Sequence, residues 1–178
     1  MSKLTAWGVE GIGEIIPGMQ LGDIIVEACS GEPNGPLLDN DVLVVTQKIV
    51  SKAEGRLVEI DPDDPLSHKV LVEEEAVRIV RRRGDLIITE TKHGFVCANS
   101  GIDLSNVERG QAALLPIDSD RSARRIRDIV KAKLGVNVGV IVSDTFGRPW
   151  RKGVTDVAIG IAGIAGVPLV LLGSRRPV

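Results

Sequence analysis

Apolar residues follow two rhythms along this chain. Val42 to Val45 form a continuous apolar run, and "VNVGVIVSD" carries a second one up to Asp144. Both read as strands, and the unbroken Val42–Val45 run predicts burial on both faces. "DLIITETK" and "GFVCA" read as two more strands, joined by a hairpin around His93 and Gly94. An early strand is expected from Leu4 to Val9.

The helical rhythm appears in three places. "LGDIIVEAC" predicts a short helix with Asp23 near its start. Over 68–83, Val70, Leu71, Ala76, Val77, Ile79 and Val80 fall largely on one stripe, which predicts a helix. Its acids come early and its arginines late, as a helix dipole favours. Residues 120–134 predict a second amphipathic helix, stopped by Gly135. "GEPNGPLLDN" and "IDPDDPLSH" read as turns. Strands and helices do not alternate regularly, and the expectation is an α+β fold of mixed sheets with amphipathic helices, one domain over residues 1–178.

Composition narrows this picture. Of 178 residues 43% are hydrophobic, yet only two Trp and two Phe are aromatic, so aliphatic side chains must fill the core. The net charge of −2 argues against nucleic acid as a partner. The arginine clusters Arg81–Arg83 and Arg124–Arg125 read as solvated helix faces. Cys29 and Cys97 are far apart and read as buried, reduced thiols. No apolar run is long enough for a membrane helix and "MSKLTAWGVEG" has no signal-peptide core, so a cytoplasmic protein is expected.

Three polar stretches follow apolar strands and read as loops: Gln47–Arg56, Asn99–Asn106 and Ser143–Arg151. Asp103 and Asp144 are hard carboxylates, with Thr145 as a third oxygen. Such a set suits Mg²⁺ or Mn²⁺, which need few protein carboxylates beside phosphate oxygens and water; both aspartates capping turns is the other reading. Lys48, Lys52 and Arg56 recur every fourth residue, either as a phosphate-facing row or as an exposed basic face. "EGIGEIIPG" could bring backbone N–H groups close to a ligand, although it matches no established phosphate loop. His68 and His93 read as a helix-start and a turn residue.

Together, "VLVVTQKIVSKAEGR", "CANSGIDLSNV", "ALLPIDSDRSARRIR" and "VIVSDTFGRPWRKGVTDVAIGIAG" resemble the gamma-glutamyl ligases of coenzyme F-420 biosynthesis, in order from about Val9 to Gly163. The same domain forms the N-terminal half of a two-domain bacterial version. The resemblance implies a GTP-dependent ligase that joins L-glutamate to the carboxylate of the 5-deazaflavin precursor through an acyl phosphate, with further gamma-glutamyl additions. It implies Mg²⁺ or Mn²⁺, K⁺ as an additional cation, and an intertwined homodimer. By matching motifs, Asp103, Asp144 and Thr145 are the expected metal ligands. Ile12, Gly13, Glu14, Ile15, Gln47, Lys52 and Asn106 are the expected nucleotide contacts. No nucleophilic residue is implied, and no role is assigned to Arg148. In the family pattern an Asp-Leu-Tyr-Gly-like segment and an alanine-rich helix follow "TDVAIGIAG". Here the chain runs from Ile164 into "AGVPLVLL", so an internal segment is missing after about residue 164. An inactive nucleotide- and metal-binding module is the alternative that this departure suggests.

Overall fold

A computed structural model describes residues 3–147 and 153–164. Arg148 and the "AGVPLVLL" segment lie outside the described residues.

The architecture is α+β, with three small sheets and four α-helices among the described residues. The central sheet has the order β1 (Val42–Thr46), β7 (Gly139–Gly147), β8 (Val154–Ala162). β1 and β7 run parallel, with Thr46 beside Ser143, whereas β7 and β8 are antiparallel. One face of this sheet is covered by α4 (Ser119–Leu134), and α4 in turn packs on α1 (Leu21–Ala28). The core lies between these layers, built from Leu43, Val45, Val140 and Val142 against Ile25, Val26, Ile126 and Val130. Each such side chain contributes roughly 1.5–3 kcal/mol by leaving water.

The long helix follows local rules. The Asp118 carboxylate accepts a hydrogen bond from the Arg121 N–H at 2.8 Å, and Gly135 ends the helix in the left-handed conformation at φ 74°. Asp120 in the first turn and Lys131 and Lys133 in the last complement the dipole. Residues 21–28 also form the expected helix, and the hairpin of β4 (Leu86–Thr91) and β5 (Val96–Ala98) turns at His93 and Gly94 as expected. Cys29 and Cys97 are buried free thiols.

Five expectations fail, each for a physical reason. Residues 68–83 are not one helix: α3 (Lys69–Glu75) gives way to β3 (Ala76–Arg83), antiparallel to β4. Branched Val77, Ile79 and Val80 suit a strand, and the nearby β4 offers a hydrogen-bonding edge that outweighs the helical stripe. Arg81–Arg83 therefore lie on a strand. Val42–Val45 is not buried on both faces. Leu43 and Val45 point inward, but Val42 and Val44 are 52% and 65% exposed, because among the described residues helices cover one side of the sheet. Leu4–Val9 forms no strand, having no pairing edge among the described residues; Asn34 instead holds Glu10 through both backbone groups. Gln47–Ala53 is a helix, α2, rather than a loop. Ser143–Gly147 continues β7 because β8 pairs with it throughout. Two short strands, β2 (Leu57–Glu59) and β6 (Gln111–Ala113), pair antiparallel without a clear sequence signal.

Candidate functional site

Parallel β1 and β7 carry their C-terminal ends to the same edge of the sheet, a common place for ligands in parallel sheets. β1 passes directly into α2 there, presenting Gln47 and Lys48. β7 presents Ser143, Asp144 and Thr145 beside them. β8 brings Asp156 opposite Thr145, and the Thr145 hydroxyl donates to the Asp156 carboxylate at 2.6 Å. From the third sheet, the turn Asn99–Gly101 and the segment after it swing Asp103, Ser105 and Asn106 across the opening. Asp103 is fixed by a two-way backbone bridge to Ala113, with hydrogen bonds of 3.0 and 2.8 Å. These segments enclose a cavity of about 550 Å³ that Cys97 also lines.

The cavity is rich in negative charge. Asp103 pairs with Lys48 at 2.7 Å and accepts a hydrogen bond from the Ser105 N–H at 2.7 Å. Burial alone would raise its pKa, but the Lys48 and Ser105 contacts outweigh that and hold it below the usual carboxylate range. Asp144 behaves oppositely. Burial pushes it up to about 6, helped by the negative charges of Asp103 and Asp156 and opposed by the Thr145 N–H and by Lys48. Burial, with Asp144 nearby, raises the Cys97 thiol to about 11, so this cysteine is a neutral wall residue at neutral pH.

Of the expected residues, Gln47, Asp103, Asn106, Asp144 and Thr145 line this cavity. Gln47 is also tied into the fold: its amide donates to the Ser51 hydroxyl at 2.6 Å and to the Leu114 carbonyl at 3.2 Å. Asn106 sits in the left-handed region at φ 52°. Ile12, Gly13, Glu14, Ile15 and Lys52 do not line the cavity. One helical turn further along α2 the Lys52 ammonium pairs with the Glu14 carboxylate, while Ile15 is buried in the core and Ile12 packs against it. The basic row of the sequence is not a solvated face: the Lys48, Lys52 and Arg56 side chains are 15%, 12% and 22% exposed and each has a carboxylate partner. His68 precedes α3 and His93 lies in the hairpin turn, both away from the cavity.

The profile of the F420-0:Gamma-glutamyl ligase family matches residues 11–171. The chain belongs to this family. A protein of Methanothermobacter thermautotrophicus named "Coenzyme F420:L-glutamate ligase" is 39% identical over 172 residues, which is 89% of this chain and 68% of that relative. The protein of the same name from Methanopyrus kandleri is 42% identical over 165 residues, 85% and 63% of the two chains. For Methanocaldococcus jannaschii the figures are 41% over 143 residues, 72% and 57%. The chain thus spans between 57% and 68% of the length of these three family members.

The donor set fits a hard divalent cation. Asp103, Asp144 and Asp156 offer carboxylate oxygens and Thr145 a hydroxyl; Asp144 is raised first by burial and then by the neighbouring Asp103 and Asp156 charges, and a cation would relieve that second, like-charge part. Among the described residues no three acidic, His or Cys side chains form a ready-made cage. The sequence marks Lys48 only as one of a basic row with two possible readings, and it marks Asp156 not at all. The signal that could have found Asp156 is its place in "VTDVAIG". Its position opposite Thr145 depends on a register shift between Val142 and Ser143, which strand periodicity does not reveal.

Proposed function

We propose that this chain carries out the family's reaction: amide formation between L-glutamate and the carboxylate of the 5-deazaflavin F-420 precursor, driven by GTP. The observation that carries the reading is the convergence of Asp103, Asp144, Thr145 and Asp156 with Lys48 on one cavity, in a chain of this ligase family. A free carboxylate is a poor acyl donor, so activation as an acyl phosphate gives GTP its role and leaves GDP and phosphate as products. The glutamate amine then attacks the activated carbonyl carbon, and phosphate leaves.

Phosphoryl transfer depends mainly on positioning and charge neutralisation. A bound Mg²⁺ or Mn²⁺, held by Asp103, Asp144 and Thr145, would neutralise phosphate oxygens there. Lys48 and Lys52, four residues apart on α2, offer two cations along one helical face. A nucleotide lying along that face would have its phosphates at the acidic cavity and its other end near Ile12–Ile15. K⁺ fits the reading as a further counter-ion to the phosphates. Exposed Val42 and Val44 on the sheet, and Val77 and Val80 on β3, support a homodimer that covers them, and sedimentation would test it.

A second reading is a nucleotide- and metal-binding module without ligase activity. Incubation with precursor, glutamate, GTP and Mn²⁺ separates the two. A mass gain of one glutamyl residue supports the ligase. Metal-dependent GDP binding with no product supports the module.

A further inference from the structure

The Lys48 ammonium is saturated without any ligand. It donates to the Ser105 carbonyl at 2.5 Å and to the Ser105 hydroxyl at 2.7 Å, and it pairs with Asp103 Oδ2 at 2.7 Å. An ammonium has three N–H donors, and three partners use them all. The side chain is only 15% exposed, so this is a held position. It also occupies one of the two carboxylates, Asp103 and Asp144, that a divalent cation in this cavity would use. Asp144 and Asp156 line the same cavity and have no cation paired with them among the described residues.

We propose that Lys48 is a placeholder cation, which neutralises Asp103 while the site is empty and passes to the nucleotide phosphates when a divalent cation takes Asp103. The inference rests on the metal reading given above. The chemistry suits lysine: its ammonium is a compact point charge on a flexible stem, able to exchange one oxygen partner for another. The geometry suits it as well. Lys48 is anchored in the first turn of α2, and Lys52 on the same face pairs with Glu14 of the N-terminal loop. A phosphate chain along this face would find two lysines that are each masked by a carboxylate until ligand arrives. Lys48 is therefore a positioning residue that couples cation binding to nucleotide binding, since each ligand gains when the other is present.

Two affinities move in opposite directions if this is correct. Free Mn²⁺, followed by electron paramagnetic resonance without nucleotide, should bind Lys48→Met about tenfold more tightly than the unaltered protein, because a nearby repelling charge is gone. GDP in saturating Mn²⁺ should bind the same variant about tenfold more weakly or worse. Lys48→Arg keeps the charge, so Mn²⁺ alone should bind it as it binds the unaltered protein. Lys48→Gln repeats the measurement should the Met variant fold poorly, as judged by circular dichroism. Unchanged or weaker Mn²⁺ binding in both neutral variants overturns the placeholder role. If instead the unaltered protein binds no Mn²⁺, or Asp144→Asn leaves Mn²⁺ binding untouched, the metal reading itself falls.

Discussion

Asp144 sits beside two other carboxylates, and its charge state decides what the cavity can hold. Its pKa is raised to about 6, first by burial and then by Asp103 and Asp156. Protons and divalent cations therefore compete for it, and Mn²⁺ affinity should rise as pH climbs through about 6 and level off above. Calorimetric titrations across that range check this, and Asp144→Asn should flatten the profile and weaken metal-dependent GDP binding. The stability sign runs the other way. A folded-state pKa above the unfolded value means that the folded protein holds the proton more tightly, so stability is fullest below the unfolded pKa and declines as pH rises toward about 6. In the absence of metal, Asp144→Asn should stabilise the protein above that pH, by on the order of 1 kcal/mol after allowing for solvent screening. Urea unfolding on either side of about pH 6 would show it. Gln47 illustrates the opposite balance. Its buried amide serves Ser51 and Leu114, so Gln47→Ala should cost about 1–3 kcal/mol in urea unfolding whatever it does to ligand binding.

At the scale of elements, the tightest joint is where β8 passes α4. A Cβ at Gly160 would lie 2.4 Å from the Ser119 backbone carbon, and backbone cannot swing aside as a side chain can. Gly160→Ala should destabilise by about 1–3 kcal/mol, measured as a lower urea midpoint with unchanged slope. Gly135→Ala at the end of α4 should cost about 1 kcal/mol, because its φ of 74° is strained for any residue with a Cβ. Elements whose signals are local were legible in the sequence. Residues 119–134 carry an Asp cap, an amphipathic stripe and a terminal glycine, and each acts within a few residues. The 68–83 segment was not legible, because its stripe satisfies a helix over one half while the other half finds a strand partner in β4. Val42 and Val44 depart from the sequence expectation for a related reason: a run of valines records strand propensity, and which face is covered depends on where distant helices settle. The same limit hid β2 and β6, three residues each, which exist only through their pairing.

Across the whole molecule, the candidate site is assembled from segments that are individually ordinary. Asp103 and Asp144 stood out in the sequence through their motifs, but their shared cavity requires the β4–β5 hairpin and its following turn to lie against the end of β7. Asp156 becomes a site residue only through that assembly, which also decides between the two readings of Lys48. No helix among the described residues is long and apolar enough to cross a membrane. Because the binding residues come from elements far apart in sequence, a ligand that spans them should tie the molecule together thermodynamically. Anything that binds the folded state and not the unfolded one stabilises it, by roughly 2.7 kcal/mol at a hundredfold excess over Kd. For a domain of this size that corresponds to a rise in Tm of about 5–10 °C. GDP with Mn²⁺ should produce a shift of that order, while either alone should produce much less, since phosphates and carboxylates each need the cation as their common partner. Chelation with EDTA should then cancel the shift without lowering Tm below that of the ligand-free protein, because no described element depends on a metal for its packing. A fall below the ligand-free value would mean that the cation is structural, and an undiminished GDP shift in EDTA would remove Asp103, Asp144 and Thr145 from the nucleotide site altogether.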